Sequence, residues 1–379
     1  MAPPSRVFAA VFAATLLVFL SVGAVVPALP RYVTGPLGFG DVAVGVVMGS
    51  FAFTSVFLRP IGGRLSDQNG RRVVFVAGSG LAAVAGLIYL LPLDLPGLIL
   101  ARLVLGIGEG WLYTAAASWV VDMTPEERRG GVIGLFGMSI WLGLSIGPAI
   151  GELLRSIGGY DAVWMFAAAA PALAALLALR IPEERQTVVA AGDATFLPRG
   201  AFLPGIALWC SVIGFAAMQG FVILMLESRG IGHGAAVFTV FAVAVALTRL
   251  CLSWLPDRIG AERSAAVAAA GHASGLAILA VAQSLPVALL GSVVMGAGYS
   301  VLFPSLALIA VQRTGEERRG AALGFFTAFF DAGIGIGAPL AGAVAAGLGY
   351  SGMFWGAAML SLVGAAVTLR GPRLRSVSA

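Results

Sequence analysis

The sequence is poor in charge and has no lysine at all. Only 11% of its 379 residues are charged, whereas a soluble domain carries roughly 25%. Hydrophobic residues make up 59% of the chain, which is more apolar surface than a soluble fold could hide from water. This composition excludes an ordinary soluble domain and predicts a protein that is embedded in a lipid bilayer.

Several motifs of catalysis and energy coupling are missing as well. There is no H-E-x-x-H, no G-x-S-x-G with triad partners and no G-x-x-x-x-G-K-[ST]. The two cysteines, Cys210 and Cys251, fall in apolar stretches, and neither His233 nor His272 has ligand-like neighbours in the sequence. We therefore expect no enzyme activity, no metal and no cofactor. The net charge of +5 is explained below by its placement, so we expect no nucleic-acid partner.

Long apolar runs are what the sequence has in abundance. A helix needs about 20 apolar residues to cross the hydrocarbon core. The first run is longer than the apolar part of a signal peptide, and more runs follow it, so we interpret it as an uncleaved helix. Apolar runs between charged or Pro/Gly breaks predict twelve spans, numbered 1 to 12 from here on: 7–28, 42–64, 73–92, 96–120, 130–153, 161–180, 204–226, 235–255, 264–282, 286–311, 320–346 and 350–369.

The arginines indicate how these spans are oriented. If the N-terminus is cytoplasmic, 17 of the 23 arginines fall in loops or tails on that side, and three fall on the other side. Positive charge concentrates in cytoplasmic loops. We therefore predict a multi-pass protein of a bacterial plasma membrane with both termini in the cytoplasm. The last three arginines lie within spans: Arg59, Arg102 and Arg249.

The chain also repeats itself at an offset of 190 residues. Six spans are an even number, so both halves cross the membrane in the same direction and form parallel repeats, with a site expected between them near the midplane. We predict a first bundle at 1–181, a cytoplasmic linker at 182–203 and a second bundle at 204–379. The matched pairs include Arg59 with Arg249, Asp67 with Asp257, Gly70 with Gly260, Gly106 with Gly296, Gly143 with Gly333 and Gly147 with Gly337.

The loop after span 2 carries a motif that resembles a known signature. It reads Gly63-Arg64-Leu65-Ser66-Asp67-Gln68-Asn69-Gly70-Arg71-Arg72, and it is similar to the G-x-L-a-D-r-x-G-r-[RK] signature of the major facilitator superfamily, with Gln68 where Arg is common. The resemblance covers essentially the whole chain and implies an all-α fold of twelve transmembrane helices in two six-helix bundles. It also implies a gating loop in which Asp67 latches the halves through the start of span 11, near Arg319-Gly320. The gating residues would be Gly63, Asp67, Gly70, Arg71 and Arg72.

Two further motifs add to the resemblance. Arg102 to Gly108 is similar to the family's R-x-x-x-G-x-G element of helix 4. Span 5 carries Gly143, Gly147, Pro148 and Gly151, which resemble the G-x-x-x-G-P-x-x-G motif of family members that export substrates in exchange for protons. Small residues four apart let two helices approach closely.

Ionisable groups within spans are costly and are therefore functional candidates. Arg102 and Glu109 are seven residues apart, so they share a face of span 4. The resemblance implies that spans 1, 4, 7 and 10 line the central cavity, with Tyr299, the repeat counterpart of Glu109, across from it. A carboxylate in a low-dielectric cavity is easily protonated, so Glu109 could carry a proton, or it could form a static ion pair with Arg102. Tyr113 and Gln219 are further cavity candidates, and Trp141 could serve the cavity or simply pack.

The other buried charges also allow two interpretations. Asp331 in span 11 could titrate, but we favour a structural pair with a buried arginine such as Arg249. Arg59 and Arg249 could contact substrate, but we favour side chains that extend towards the headgroups and pair locally. Glu152 and Glu227 lie near the outer ends of their spans, and we expect them to be solvated.

Together these features predict a secondary active transporter, a proton-coupled antiporter that exports a small molecule by alternating access. A proton-coupled importer of a sugar or an organic acid is the alternative, and a non-transporting sensor or a membrane-embedded enzyme fits less well. The expected partners are the substrate, protons and the lipid bilayer, and one chain with a complete cavity can work as a monomer.

Overall fold

The computed structural model describes residues 6–125, 129–182, 198–252, 254–315 and 319–370. Most of the predicted linker, residues 183–197, lies outside these ranges. The regular structure of the described residues is helical. Eight spans are single helices: Arg6–Thr34, Asp41–Asn69, Arg71–Tyr89, Asp94–Asp122, Phe202–Ser228, Ala236–Leu252, Ala261–Val281 and Leu285–Thr314, which are spans 1 to 4 and 7 to 10.

The other four spans lie in two very long helices, Arg129–Leu179 and Arg319–Arg370. The first is interrupted by non-helical backbone at Gly158 and Gly159, and the second by Gly349. Gly159 and Gly349 have φ of 67° and 70°, a conformation that glycine adopts without the steric cost of a Cβ. The breaks divide the long helices into span 5 (129–157), span 6 (160–179), span 11 (319–348) and span 12 (350–370), so the prediction of twelve spans is confirmed.

Some predicted helix ends were wrong by several residues. Span 1 continues to Thr34 although Pro27 and Pro30 lie inside it, because a proline near the end of a membrane helix can be accommodated by its neighbours. Span 8 ends at Leu252, and a short helix, Leu255–Ile259, follows it. A 3-10 turn at Arg199–Ala201 leads into span 7.

The surface of the bundle suits a bilayer. Nine of the described helices are long and apolar enough to cross a membrane; the two long ones among them each hold two spans, and span 8 is a shorter apolar helix. Large apolar side chains lie on the outside, such as Phe53, Leu250 and Met359, each more than 60% exposed. Such exposure is costly in water but favourable in lipid.

The 190-residue repeat is also a repeat of packing. Gly147 of span 5 lies against Gly23 of span 1, and its counterpart Gly337 of span 11 lies against Ile213 of span 7. Positions 23 and 213 are themselves 190 apart. Because each glycine lies directly against the neighbouring helix, a side chain there would overlap that helix, and the same two spans pack in the same way in each half.

Spans 2 and 11 pack against each other across the two halves, and so do spans 5 and 8. We call the face of the bundle where span 1 begins and span 12 ends the terminal face, and the opposite face the far face. On the far face, Arg31 Nε lies 2.5 Å from Glu227 of the second half, and the Tyr350 hydroxyl donates to Asp41 at 2.9 Å. The far ends of the two halves are therefore joined.

Candidate functional site

A small pocket lies between the two halves near the middle of the bundle. Spans 1, 5, 7 and 8 form its wall, whereas the resemblance implied spans 1, 4, 7 and 10. Gln219, which was predicted as a cavity residue, lines it, and so does Trp141. The neighbouring wall residues include Gly23, Phe215, Met218 and Phe241.

Aromatic rings dominate one side of this pocket. Tyr299 of span 10 stacks on Phe215, with ring centroids 5.0 Å apart, so it stands behind the wall. Trp141 of the first half is edge-on to Tyr299 at 6.4 Å and tilted against Phe241 at the same distance. Aromatic contacts therefore cross from one half to the other. Phe215 and Phe241 were not predicted as pocket residues, because neither is charged and neither belongs to a motif.

Arg102 is held away from Glu109. Its side chain is buried and donates to the carbonyl oxygens of Val47 and Met48 at 3.3 and 3.0 Å. The guanidinium also lies over the Phe51 ring at 4.4 Å. All three partners belong to span 2, so the static ion pair of Arg102 with Glu109 that the spacing suggested is not formed. Seven residues on one helix place two side chains on one face, but the neighbouring helix decides where each one points.

Glu109 has no hydrogen bond and no ion pair among the described residues. The charges that act on its carboxylate are those of Arg59, Arg102 and Asp331. The residue is only partly buried. Glu109 is therefore a carboxylate in the middle of the bundle that has charged side chains nearby but forms no ion pair with any described one of them.

Asp331 forms a pair with an arginine, as expected, but the partner is Arg59 and not Arg249, which was named as the example. Arg59 Nη1 lies 3.3 Å from an Asp331 carboxylate oxygen, whose side chain is only 4% exposed. Arg59 also donates to Ser55 at 3.1 Å and lies 5.8 Å from the Tyr113 ring. The Arg59–Asp331 pair joins span 2 to span 11. Arg59 therefore points across the interface between the two halves, whereas we expected it to extend towards the headgroups.

Arg249 points into the interface too, which contradicts the same expectation. Its guanidinium lies over the Trp141 ring at 5.8 Å. Its Nε is buried and has no hydrogen-bond partner among the described residues. The two repeat-related arginines thus both point towards the other half, Arg59 to Asp331 and Arg249 to Trp141.

The predicted gating loop lies at the terminal face, away from the pocket. Gly70 has a φ of 100° and ends span 2. Arg71 pairs with Asp67 and, at 2.9 Å, with Asp122, and Arg72 donates to the Ile181 carbonyl. These contacts stay within the first half. The side chain of Arg319, to which, together with Gly320, the resemblance assigned the latch, lies outside the described part of the structure.

The span 5 motif packs against span 1. Gly143, Gly147 and Gly151 each lie directly against backbone of span 1. Pro148 touches the same contact and lines the pocket, and the helix continues through it. The motif therefore sets the distance between spans 1 and 5 at the pocket wall.

Two carboxylates that we expected to be solvated are engaged on the far face. Arg31 Nη1 lies 2.6 Å from Glu152, and Arg31 Nε bonds Glu227. Glu152 also pairs with Arg155. In the part of the chain that the structure describes, no group of three or more His, Cys, Asp or Glu side chains is placed to hold a metal ion.

Comparison with known proteins gives a consistent result. The family model described as Major Facilitator Superfamily matches residues 11–234 and 205–378. The chain is 31% identical to an uncharacterized MFS-type transporter, STM4428, of Salmonella typhimurium, over 94% of both chains. It is 30% identical to the uncharacterized MFS-type transporter YhhS of Escherichia coli, over 93% of this chain and 89% of the relative.

Solved structures share the fold at low sequence identity. A point mutant of the nucleoside transporter NupG superposes with a TM-score of 0.82 at 15% identity, over 96% of this chain and 99% of that one. The human organic anion transporter MFSD10 superposes with a TM-score of 0.74 at 17% identity, over 97% of this chain and all of the other.

Proposed function

Because the chain belongs to the Major Facilitator Superfamily, we propose that it is a proton-coupled antiporter that exports a small molecule by alternating access. Its relatives are named transporters, so transport of a small molecule across a membrane is the function that the family supports. Proton coupling, direction and the residues involved are our proposal. The working unit is a single chain whose two bundles, 1–181 and 204–379, rock about the pocket between them.

Glu109 carries the proposal. A carboxylate within a membrane span is retained only where it has a role, and Glu109 lacks the ion pair that would give it a purely structural one. The nearby Arg59–Asp331 pair supplies a field at Glu109 that the moving halves would change. Protonation and deprotonation of Glu109 are the proposed coupling event.

We place the terminal face in the cytoplasm of a bacterial cell, because arginines concentrate in the loops of that face. The far face then points outwards, and the contacts of Arg31 and Tyr350 close it. In this state substrate would reach the pocket from the cytoplasm. The span 5 motif, similar to that of proton-exchanging exporters, supports the same direction.

A proton-coupled importer of an organic acid is the second candidate, and Arg249 favours it. Among the described residues Arg249 has no carboxylate partner, so its guanidinium attracts an anion, and a proton taken up with that anion would balance its charge. Two ligands that stabilise each other tend to be carried together. The direction of substrate movement relative to proton movement therefore separates the two candidates.

The test uses inside-out vesicles with an acidic lumen and a panel of candidate compounds added outside. An exporter that exchanges substrate for protons releases luminal protons and accumulates substrate. The Glu109→Gln variant should bind substrate but release no protons. Glu262→Gln is the matched control, because Glu262 lies at the terminal face and pairs with Arg313 at 3.0 Å.

Each result has a distinct meaning. Proton release that persists in Glu109→Gln removes Glu109 from the proposal and moves attention to Asp331. Compounds loaded into the lumen that leave it together with protons, while the same compounds added outside are not taken up in exchange for protons, contradict export and support the importer. Normal transport by Glu262→Gln shows that the loss of a carboxylate away from the pocket does not stop transport by itself.

A further inference from the structure

We infer that Arg249, which adjoins the pocket through Trp141, binds an anion and that the substrate is a planar organic acid, with its carboxylate on Arg249 and its ring against the aromatic wall. The inference rests on the proposed transport function but not on its direction.

The repeat supplies the first argument. Arg59 and Arg249 are 190 residues apart, and so are Trp141 and Asp331. The Arg59–Asp331 pair joins span 2 to span 11, and the contact of Arg249 with Trp141 joins span 8 to span 5. These are equivalent places in the two halves. One of them holds an arginine with a carboxylate, and the other holds an arginine with an indole ring.

The charge around Arg249 supplies the second argument. Among the described residues Arg249 has no hydrogen bond and no ion pair, and its guanidinium faces the Trp141 ring. An arginine inside a membrane without a counter-ion is costly. Contact with an aromatic face compensates only part of that cost. Because the side chain is only half-buried, a carboxylate from a ligand can reach it and take the part that Asp331 has at the equivalent place.

The wall of the pocket supplies the rest of the substrate's description. Trp141 belongs both to the Arg249 contact and to the pocket, so an acid on Arg249 directs the remainder of the molecule along Phe215 and Phe241. Flat rings pack against such a wall by offset or edge-on contacts. A small inorganic anion would lose its hydration there without gaining packing. Gln219 adds one neutral polar group, which suits a hydroxyl or amide on the ligand.

The experiment compares three ligands with one ring system: 1-naphthoate, the neutral 1-naphthamide and the cationic 1-naphthylmethylammonium. Binding to the purified, detergent-solubilised full chain is measured by calorimetry at neutral pH. We expect naphthoate to bind at least about tenfold more tightly than the amide, which is the difference that one charge-assisted hydrogen bond supports. The cation should bind no better than the amide.

Variants show whether Arg249 is the cause. Arg249→Gln should bring the affinity for naphthoate down to that for the amide, and amide binding reports that the variant is folded. Arg249→Lys should keep part of the preference, since it keeps the charge but loses the planar fork. Arg258→Gln is the matched control: Arg258 also lies over a tryptophan, Trp254, at 5.3 Å, but both are exposed, and the variant should keep the full preference.

Three results would overturn the inference: no measurable naphthoate binding, naphthoate binding no tighter than amide binding, or a preference that survives Arg249→Gln. Failure of the proposed function is seen separately. If Glu109→Gln still moves protons while Arg249→Gln loses the acid preference, the coupling proposal fails and the anion site stands.

Discussion

The far face and the middle of the bundle hold their charges in opposite ways. On the far face Arg31 bonds two carboxylates, Glu152 and Glu227, although both are a third or more exposed and water could solvate them. In the middle, Arg249 has no carboxylate partner and Glu109 has no cation bound to it among the described residues. Carboxylate pairing is thus present around Arg31, where it contributes little, and absent at Arg249 and Glu109, where it would contribute more. We propose that the Arg31 contacts favour one state of the two halves and that Arg249 and Glu109 serve ligands.

The largest effect should come from breaking the Arg59–Asp331 pair in the middle of the bundle. Asp331→Asn leaves Arg59 without its carboxylate, and we expect the free energy of unfolding to fall by about 2 kcal/mol, less than for a fully buried pair because the Arg59 side chain is 22% exposed. Unfolding in mixed micelles by titration with a denaturing detergent measures the change.

The control removes both charges at once. The double variant Arg59→Gln with Asp331→Asn leaves no unpaired charge, so it should recover most of the lost stability. If the single variant is as stable as the wild type, the Arg59–Asp331 contact has no structural role.

A second change makes the surroundings of Arg249 resemble those of Arg59. Trp141→Asp places a carboxylate beside Arg249, at the position equivalent to Asp331. We expect it to weaken binding of 1-naphthoate by about tenfold or more, because a resident carboxylate competes with the ligand for the guanidinium. Calorimetry on the purified variant gives the affinity.

Trp141→Phe is the matched control for this change. It keeps an aromatic face and adds no charge, so the preference for naphthoate over naphthamide should remain. Equal acid preference in Trp141→Asp and Trp141→Phe would mean that the ligand's carboxylate does not meet Arg249.

The smallest effect belongs to the far face. Glu227→Gln removes one of the two carboxylates on Arg31 and leaves Glu152 in place. We expect a loss of no more than about 0.5 kcal/mol in the free energy of unfolding. The loss should disappear in about 1 M salt, where exposed charges are screened. A larger loss that is insensitive to salt would contradict the view that this pair lies in a solvated position.

Sequence patterns predicted the spans well because apolar length is a local property. They also predicted the two halves, since a repeat offset needs no knowledge of contacts. The partners of the buried charges could not be obtained in this way. The spacing of Arg102 and Glu109 is a property of one helix. Arg102, however, donates to backbone carbonyl groups of span 2, and because every residue has a carbonyl group, the sequence does not show which ones will accept.

One further pair of repeat positions could have been compared from the sequence alone. Applying the offset to Asp331 leads to Trp141, which marks the place where the two halves differ. The pocket wall gave no such clue, because Phe215 and Phe241 are two of 22 phenylalanines and only the packing of spans 7, 8 and 10 selects them.

The turns at Gly159 and Gly349 have a mechanical consequence. Only one or two non-helical residues connect span 5 to span 6 and span 11 to span 12. These connections are too short for the joined spans to move independently. A tilt of span 5 or 11 at the interface is carried directly to span 6 or 12, where Leu176 and Met359 are 60% and 64% exposed on the outside of the bundle. In the alternating-access cycle that we propose, the lipid deforms whenever the pocket changes its side of access. The thickness and lateral pressure of the bilayer would then be part of the work of each cycle.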